Sequence, residues 1–264
     1  MIGRLSLLLF LACDLPCALH AQSEGRPQYS RKNTFSITGA YSDTSSHIIG
    51  GMAMNRKLAT IGVSYTHRID RSPYMELYYL AELHPVVLES DPTATLIQTY
   101  NGPPAYTGGG TSTVALLSTK CPANPPVYTG TLPPGGPSAG STYTITSTYI
   151  CGGRRWTYGQ AFSPLGLRLN LLPRRRLQPV FSLAGGYLFS TRPIPIAGAG
   201  SYNFTLEIGG GLEFYLRPTQ SESLFGNRSL RVEYRFHHIS NADTANSNPG
   251  IENGLLQVAF SFGR

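Results

Sequence analysis

The chain has 264 residues, enough for one sizeable domain or two small ones. Charged residues are only 13% of it, about half the usual share of a soluble domain, and Gly (29), Tyr (16) and Phe (11) take their place. The net charge of +7 favours anionic partners, and an exported chain has no nucleic acid to meet.

Export is read from the N-terminus. "MIGRLSLLLFLACDLPCALHAQSEG" carries one Arg, an apolar run from Leu5 to Ala12 and small residues at Ala18 and Ala21, the layout of a signal peptide over 1–21. A lipoprotein acylated at Cys13 is the lesser alternative. Cleavage after Ala21 removes Arg4 and Asp14 together, so residues 22–264 keep the +7. It also removes Cys13 and Cys17. Cys121 and Cys151 are left, and an oxidising compartment would join them in a disulfide.

No segment after residue 21 reaches the roughly 18 uninterrupted apolar residues of a membrane helix, and the recurring period is two. In "FTLEIGGGLEFYL" Phe204, Leu206, Ile208, Leu212, Phe214 and Leu216 share one face, while Thr205, Glu207, Glu213 and Tyr215 share the other. The same alternation predicts strands near 33–42, 57–69, 73–82, 160–171, 177–190, 202–216, 226–238 and 254–262. The uniform face is the apolar one, and the opposite face carries charges of both signs: Glu76, Arg168, Glu207, Glu213, Arg231, Glu233 and Arg235. Short connections (70–72, 172–176, 217–225) face long ones (43–56, 83–159, 191–201, 239–253). Together these features predict an all-β fold, an eight-stranded antiparallel transmembrane β-barrel in a bacterial outer membrane. A lipocalin-like barrel would have the opposite facing. The Pro-, Gly-, Ser- and Thr-rich stretch of about 84–157 is expected as a long extracellular loop insertion between strands 3 and 4. A Cys121–Cys151 bond would close a segment there worth about 3–4 kcal/mol by chain entropy.

The chemistry gathers at one rim. In "VEYRFHHISNADTANSNPGIENGLLQVAFSF" the parity of Leu230, Val232, Tyr234 and Phe236 carries on to His238 and Ser240, on the outer side, and sends His237 to the lumen as a structural residue. A serine needs a base to take its proton, and the base needs a carboxylate to set its tautomer. Glu252 returns at the start of the next strand, and the intervening "NADTANSNPG" offers amides for an oxyanion. This stretch resembles the signature of the PagL-type lipid A 3-O-deacylases, outer-membrane barrels with His-x-Ser-Asn at one strand end and Asn-Pro-Gly-x-Glu at the next. The resemblance implies His238 as general base, Ser240 as nucleophile, Glu252 as the group orienting the histidine, Asn248 as an oxyanion donor and the backbone from Asn241 to Asp243 beside it. It also implies hydrolysis of the 3-O-acyl ester of lipid A, with lipopolysaccharide as partner and no metal or cofactor. Asp243 departs from the family, which often has Gly there, and the 84–157 insertion is longer than in a minimal member, with consequences for substrate access. The alternatives are a non-enzymatic barrel, an adhesin or structural protein whose insertion binds a partner, and an acyltransferase using the same serine.

Overall fold

A computed structural model describes residues 29–104, 107–219 and 225–264. The expected signal peptide, with Cys13 and Cys17, lies outside the described residues. Among these residues the chain forms ten strands: β1 (Asn33–Ser42), β2 (Lys57–Arg71), β3 (Met75–Asn101), β4 (Gly108–Ala115), β5 (Tyr128–Thr131), β6 (Thr142–Leu171), β7 (Leu177–Ser190), β8 (Tyr202–Tyr215), β9 (Asn227–Ser240) and β10 (Ile251–Gly263). No helix long and apolar enough to cross a membrane occurs among them. This has no bearing on crossing by strands.

Each strand pairs antiparallel with its neighbours in the order β4-β3-β2-β1-β10-β9-β8-β7-β6-β5, and β3 also pairs with β6. That extra ladder makes the hydrogen bonding ring-like, running through β1, β2, β3, β6, β7, β8, β9 and β10. The two remaining strands lie outside the ring, β4 on Thr93–Tyr100 of β3 and β5 on Thr142–Ile145 of β6. The described residues thus hold ten strands where eight were expected, and the stretch of about 84–157, expected as a loop, is in good part strand. The expected strands 73–82 and 160–171 are parts of β3 and β6, which run on together as a ladder from Met75↔Leu171 to Asn101↔Thr144. The physical reason lies in "TATLIQTY" and "TYTITSTYI": their Thr, Ile and Tyr are strand formers. Most of the prolines of that stretch gather instead between these strands, before β4, between β4 and β5, and between β5 and β6. Cys121 and Cys151 are joined in this extension, Cα atoms 5.9 Å apart.

Alternation sorts the side chains of the ring. On β9 the odd positions are buried and the even ones exposed as far as Tyr234 and half-buried beyond it: Arg231 is 1% and Val232 46% exposed. Leu256 and Val258 on β10, Phe181 and Leu183 on β7, and Leu206 and Ile208 on β8 continue the exposed apolar face. The interior is largely ionic, beside one apolar cluster that includes Leu58, Leu188, Ile239, Ile251 and Leu255. Arg235 meets Glu82 (2.8 Å), Glu233 (2.9 Å) and Glu207 (3.0 Å), Arg231 meets Glu233, and Arg31 and Arg168 both meet Glu213. Where the extension joins the ring, Asp91 takes Arg56 (3.0 Å) and Arg155 (2.7 Å). Buried charges persist only when paired. A lipocalin, with apolar side chains within, is the inverse of this arrangement.

Candidate active site

β9 and β10 form an unbroken ladder from Ile251↔Ile239 to Gly263↔Asn227, and its second rung sets Glu252 opposite His238. Both side chains lie on the outer face, and Nδ1 of His238 is 3.3 Å from Oε1 of Glu252. With Nδ1 turned to the carboxylate, Nε2 is the nitrogen left to accept a proton. Ser240 ends β9 on the same face, opposite Phe204 of β8. One strand repeat, roughly 6.5–7 Å between Cα atoms, separates it from His238. No hydrogen bond joins the two, and such contacts commonly tighten only around a substrate. His237 has the opposite parity and is buried, 3.8 Å from Glu207.

Glu252 is fully buried by the connection between β1 and β2. The amides of Ile48 (2.6 Å) and Ile49 (2.8 Å) donate to its Oε2, and that of Gly50 (2.7 Å) donates to Oε1. Glu252 lies above the exposed apolar row of β10, which begins at Leu256. Burial would raise its pKa, but the amides of residues 48–51 outweigh burial and hold it at about 2. The carboxylate facing His238 is thus an anion.

The connection from 241 to 250 is organised by Asn241, which is 1% exposed. Its Nδ2 donates to Ser247 O (2.7 Å), its Oδ1 accepts from the amide of Asp243 (3.0 Å), and its own amide donates to Oδ1 of Asn248 (3.0 Å). That last bond sets the carboxamide of Asn248, leaving its Nδ2 as the donor. Asn241 itself holds the loop, with one Nδ2 hydrogen and the Oδ1 engaged within it. Asp243 is exposed and has a φ of 59°. Asp tolerates this left-handed conformation better than most residues, so it reproduces the backbone a Gly would supply. Its amide is spent on Asn241, which rules it out as a free oxyanion donor.

Elsewhere, Glu82, His84 and Glu207 bring possible ligand atoms within 4.8 Å of one another. Arg235 donates to both carboxylates there, so a guanidinium already occupies the place a cation would take. Sequence reasoning missed the 48–50 amides, since backbone donors have no residue signature. The Gly50-Gly51 pair was the one available sign.

No curated protein matches the chain significantly. Residues 134–261, which hold β6 to β9, nearly all of β10 and the whole His238–Ser240–Glu252 rim, match the family model described as Lipid A 3-O-deacylase (PagL). Through that region the chain is similar to the PagL-type family, whose members are outer-membrane β-barrel lipid A deacylases.

Proposed function

We propose that residues 22–264 form a transmembrane barrel of the bacterial outer membrane that hydrolyses the 3-O-acyl ester of lipid A. The observation that supports this most is the outward contact of His238 with a buried, ionised Glu252, one strand repeat from Ser240. In this reading Ser240 Oγ attacks the ester carbonyl as His238 Nε2 takes its proton, and Glu252 steadies the imidazolium. Nδ2 of Asn248 donates to the oxyanion. His238 then returns the proton to the leaving 3-hydroxyl of the sugar, and water, deprotonated by the same histidine, releases the fatty acid. Nothing in these steps calls for a metal or cofactor.

The outward position suits a lipid substrate. An ester of an outer-leaflet lipid lies beside the barrel wall, and the exposed Leu206, Phe204 and Tyr234 offer its chains an apolar surface. The test is incubation of purified protein with lipopolysaccharide, followed by mass spectrometry of the lipid A. Loss of one 3-hydroxyacyl group and appearance of the free 3-hydroxy fatty acid are expected. Transfer of the acyl group to a second lipid would establish the acyltransferase, and unchanged lipid A would reject the assignment.

A further inference from the structure

The residues that hold Glu252 lie outside the region that matches the family model. They belong to the connection from 43 to 56, and its geometry is that of a clamp. The base is tied to the segment that carries Glu252: Ser46 N donates to Glu252 O (3.0 Å), Met52 N to Pro249 O (2.5 Å) and Ala53 N to Gly250 O (3.2 Å). Within the loop, Nδ1 of His47 meets Gly51 O at 2.6 Å. The tip then folds over the carboxylate. A Cβ on Gly51 would lie 2.7 Å from Cγ of Glu252, and one on Gly250 would lie 3.2 Å from Cα of Gly51 and 3.6 Å from Cε1 of His238. At Gly51 and Gly250 backbone packs directly on the pair, and at Gly51 no side chain fits.

The same turn is apolar on its outer side. Ile49 is 77% exposed, and Ile48, Met52 and Met54 are also exposed. A loop in water gains nothing from four such side chains beside three consecutive inward amides. On the outer wall of the ring, above the apolar row of β10, the occupant that fits is the acyl layer of the lipid whose ester the rim would cleave.

We propose that residues 45–54 form a lipid-seated clamp on the triad carboxylate: Ile48 and Ile49 enter the acyl layer beside the substrate, while the amides behind them fix Glu252. The proposal rests on the triad reading above. Gly51 and the 48–50 backbone are positioning elements, acting on the ester only through Glu252 and His238. Long acyl chains and alignment of the histidine are thereby linked through one turn.

Two kinds of variant test it. Gly51→Ala should lower kcat on lipid A at least tenfold with little change in KM, and it should add nothing in a Glu252→Ala background, where the displaced carboxylate is gone. Independent, multiplying losses in the double variant would overturn the positioning role. Ile48→Ser with Ile49→Ser should reduce the ratio of kcat/KM for long-chain over short-chain esters several-fold, and an unchanged ratio would overturn the lipid role. A readout without catalysis separates this proposal from the deacylase reading. With Cys121 and Cys151 bonded to each other, bimane on Ile49→Cys in phospholipid vesicles should be quenched by lipids bearing nitroxides on their acyl chains. Absence of quenching overturns the lipid seat. Retention of full deacylation by Ser240→Ala would instead overturn the triad and leave the quenching result standing.

Discussion

Val232→Arg tests the facing of the whole barrel. Val232 is 46% exposed and lies midway along β9, between Leu230 and Tyr234 on the outer row. A strand tilted by about 40° climbs roughly 2.5 Å along the membrane normal per residue. The run of outer residues from Arg228 to Phe236 then spans about 20 Å, most of the roughly 25 Å of an outer-membrane apolar band. Val232 falls within about one residue of its middle, where an outward Arg costs roughly 2–4 kcal/mol. In water the same exposed site would tolerate Arg to within about 0.5 kcal/mol. Equilibrium unfolding in guanidinium, from phospholipid vesicles and followed by the β-sheet circular dichroism signal, reads the difference as a shift of midpoint at constant slope. An unchanged midpoint would refute the membrane reading. The neighbouring Arg231 provides the internal contrast, because it is buried against Glu233 at 2.8 Å and belongs to the lumen.

The other predictions concern the rim. Ser240→Ala and His238→Ala should each lower turnover by several orders of magnitude, measured as fatty acid release, while heat-modifiable migration on gels stays normal, since triad members act as a unit. Asn241→Ala should cost about tenfold or more by freeing the loop that carries Asn248, whereas Asp243→Gly should be nearly neutral. A severe loss in Asp243→Gly would mean that the aspartate side chain, not its backbone, is used. The pKa of Glu252 is depressed in the fold, so its stabilising effect is full above the unfolded carboxylate range near 4.3 and is lost as pH falls through about 2. Hydrogen-exchange protection of the Ile48–Gly50 amides should decline across that window, and pH-independent protection would show that something else holds them. Replacing 93–152 by a short turn should leave a folded ring, because β3 and β6 remain paired between Met75↔Leu171 and Ser90↔Trp156. Loss of heat-modifiability in that variant would show that the extension is needed for closure.

What the sequence disclosed follows from the kind of bond involved. Side-chain alternation marks β1 and β7 to the residue and puts Arg231, Glu233 and Arg235 opposite Val232 and Tyr234, because parity in a ladder is a side-chain property. The β3–β6 extension was obscured because Thr and Ser serve turns and strands alike, and its Pro-rich connections dominated the composition. Asn241 could be placed at the rim from its spacing to Ser240. Its task could not, since holding a loop and donating to an oxyanion ask for the same carboxamide. The clamp on Glu252 was hidden most completely, being made of main-chain amides brought together across some 200 residues.

Register explains why the rim can coexist with so large an extension. A slip of one residue between β9 and β10 would set Ile251 or Asn253 opposite His238 and turn the row to the other face. That ladder has no bulge, while β3–β6 is irregular at Leu80/Glu82, His84/Val87 and Thr93/Ala94. In the ring the β3–β6 pair lies three strands from β9–β10 in either direction, so its irregularities fall on the far wall. The extension still touches the near side at one place. Leu117 O accepts the amide of Met54 (2.9 Å), and Arg56 donates to the carbonyls of Leu116 (2.5 Å) and Leu117 (3.2 Å), at the base of the loop that covers Glu252. Shortening 93–152 would remove those three bonds along with β4 and β5. Exchange of the 48–50 amides should therefore quicken in that variant although the ring persists, and unchanged exchange would mean that the clamp is held by 249–253 alone.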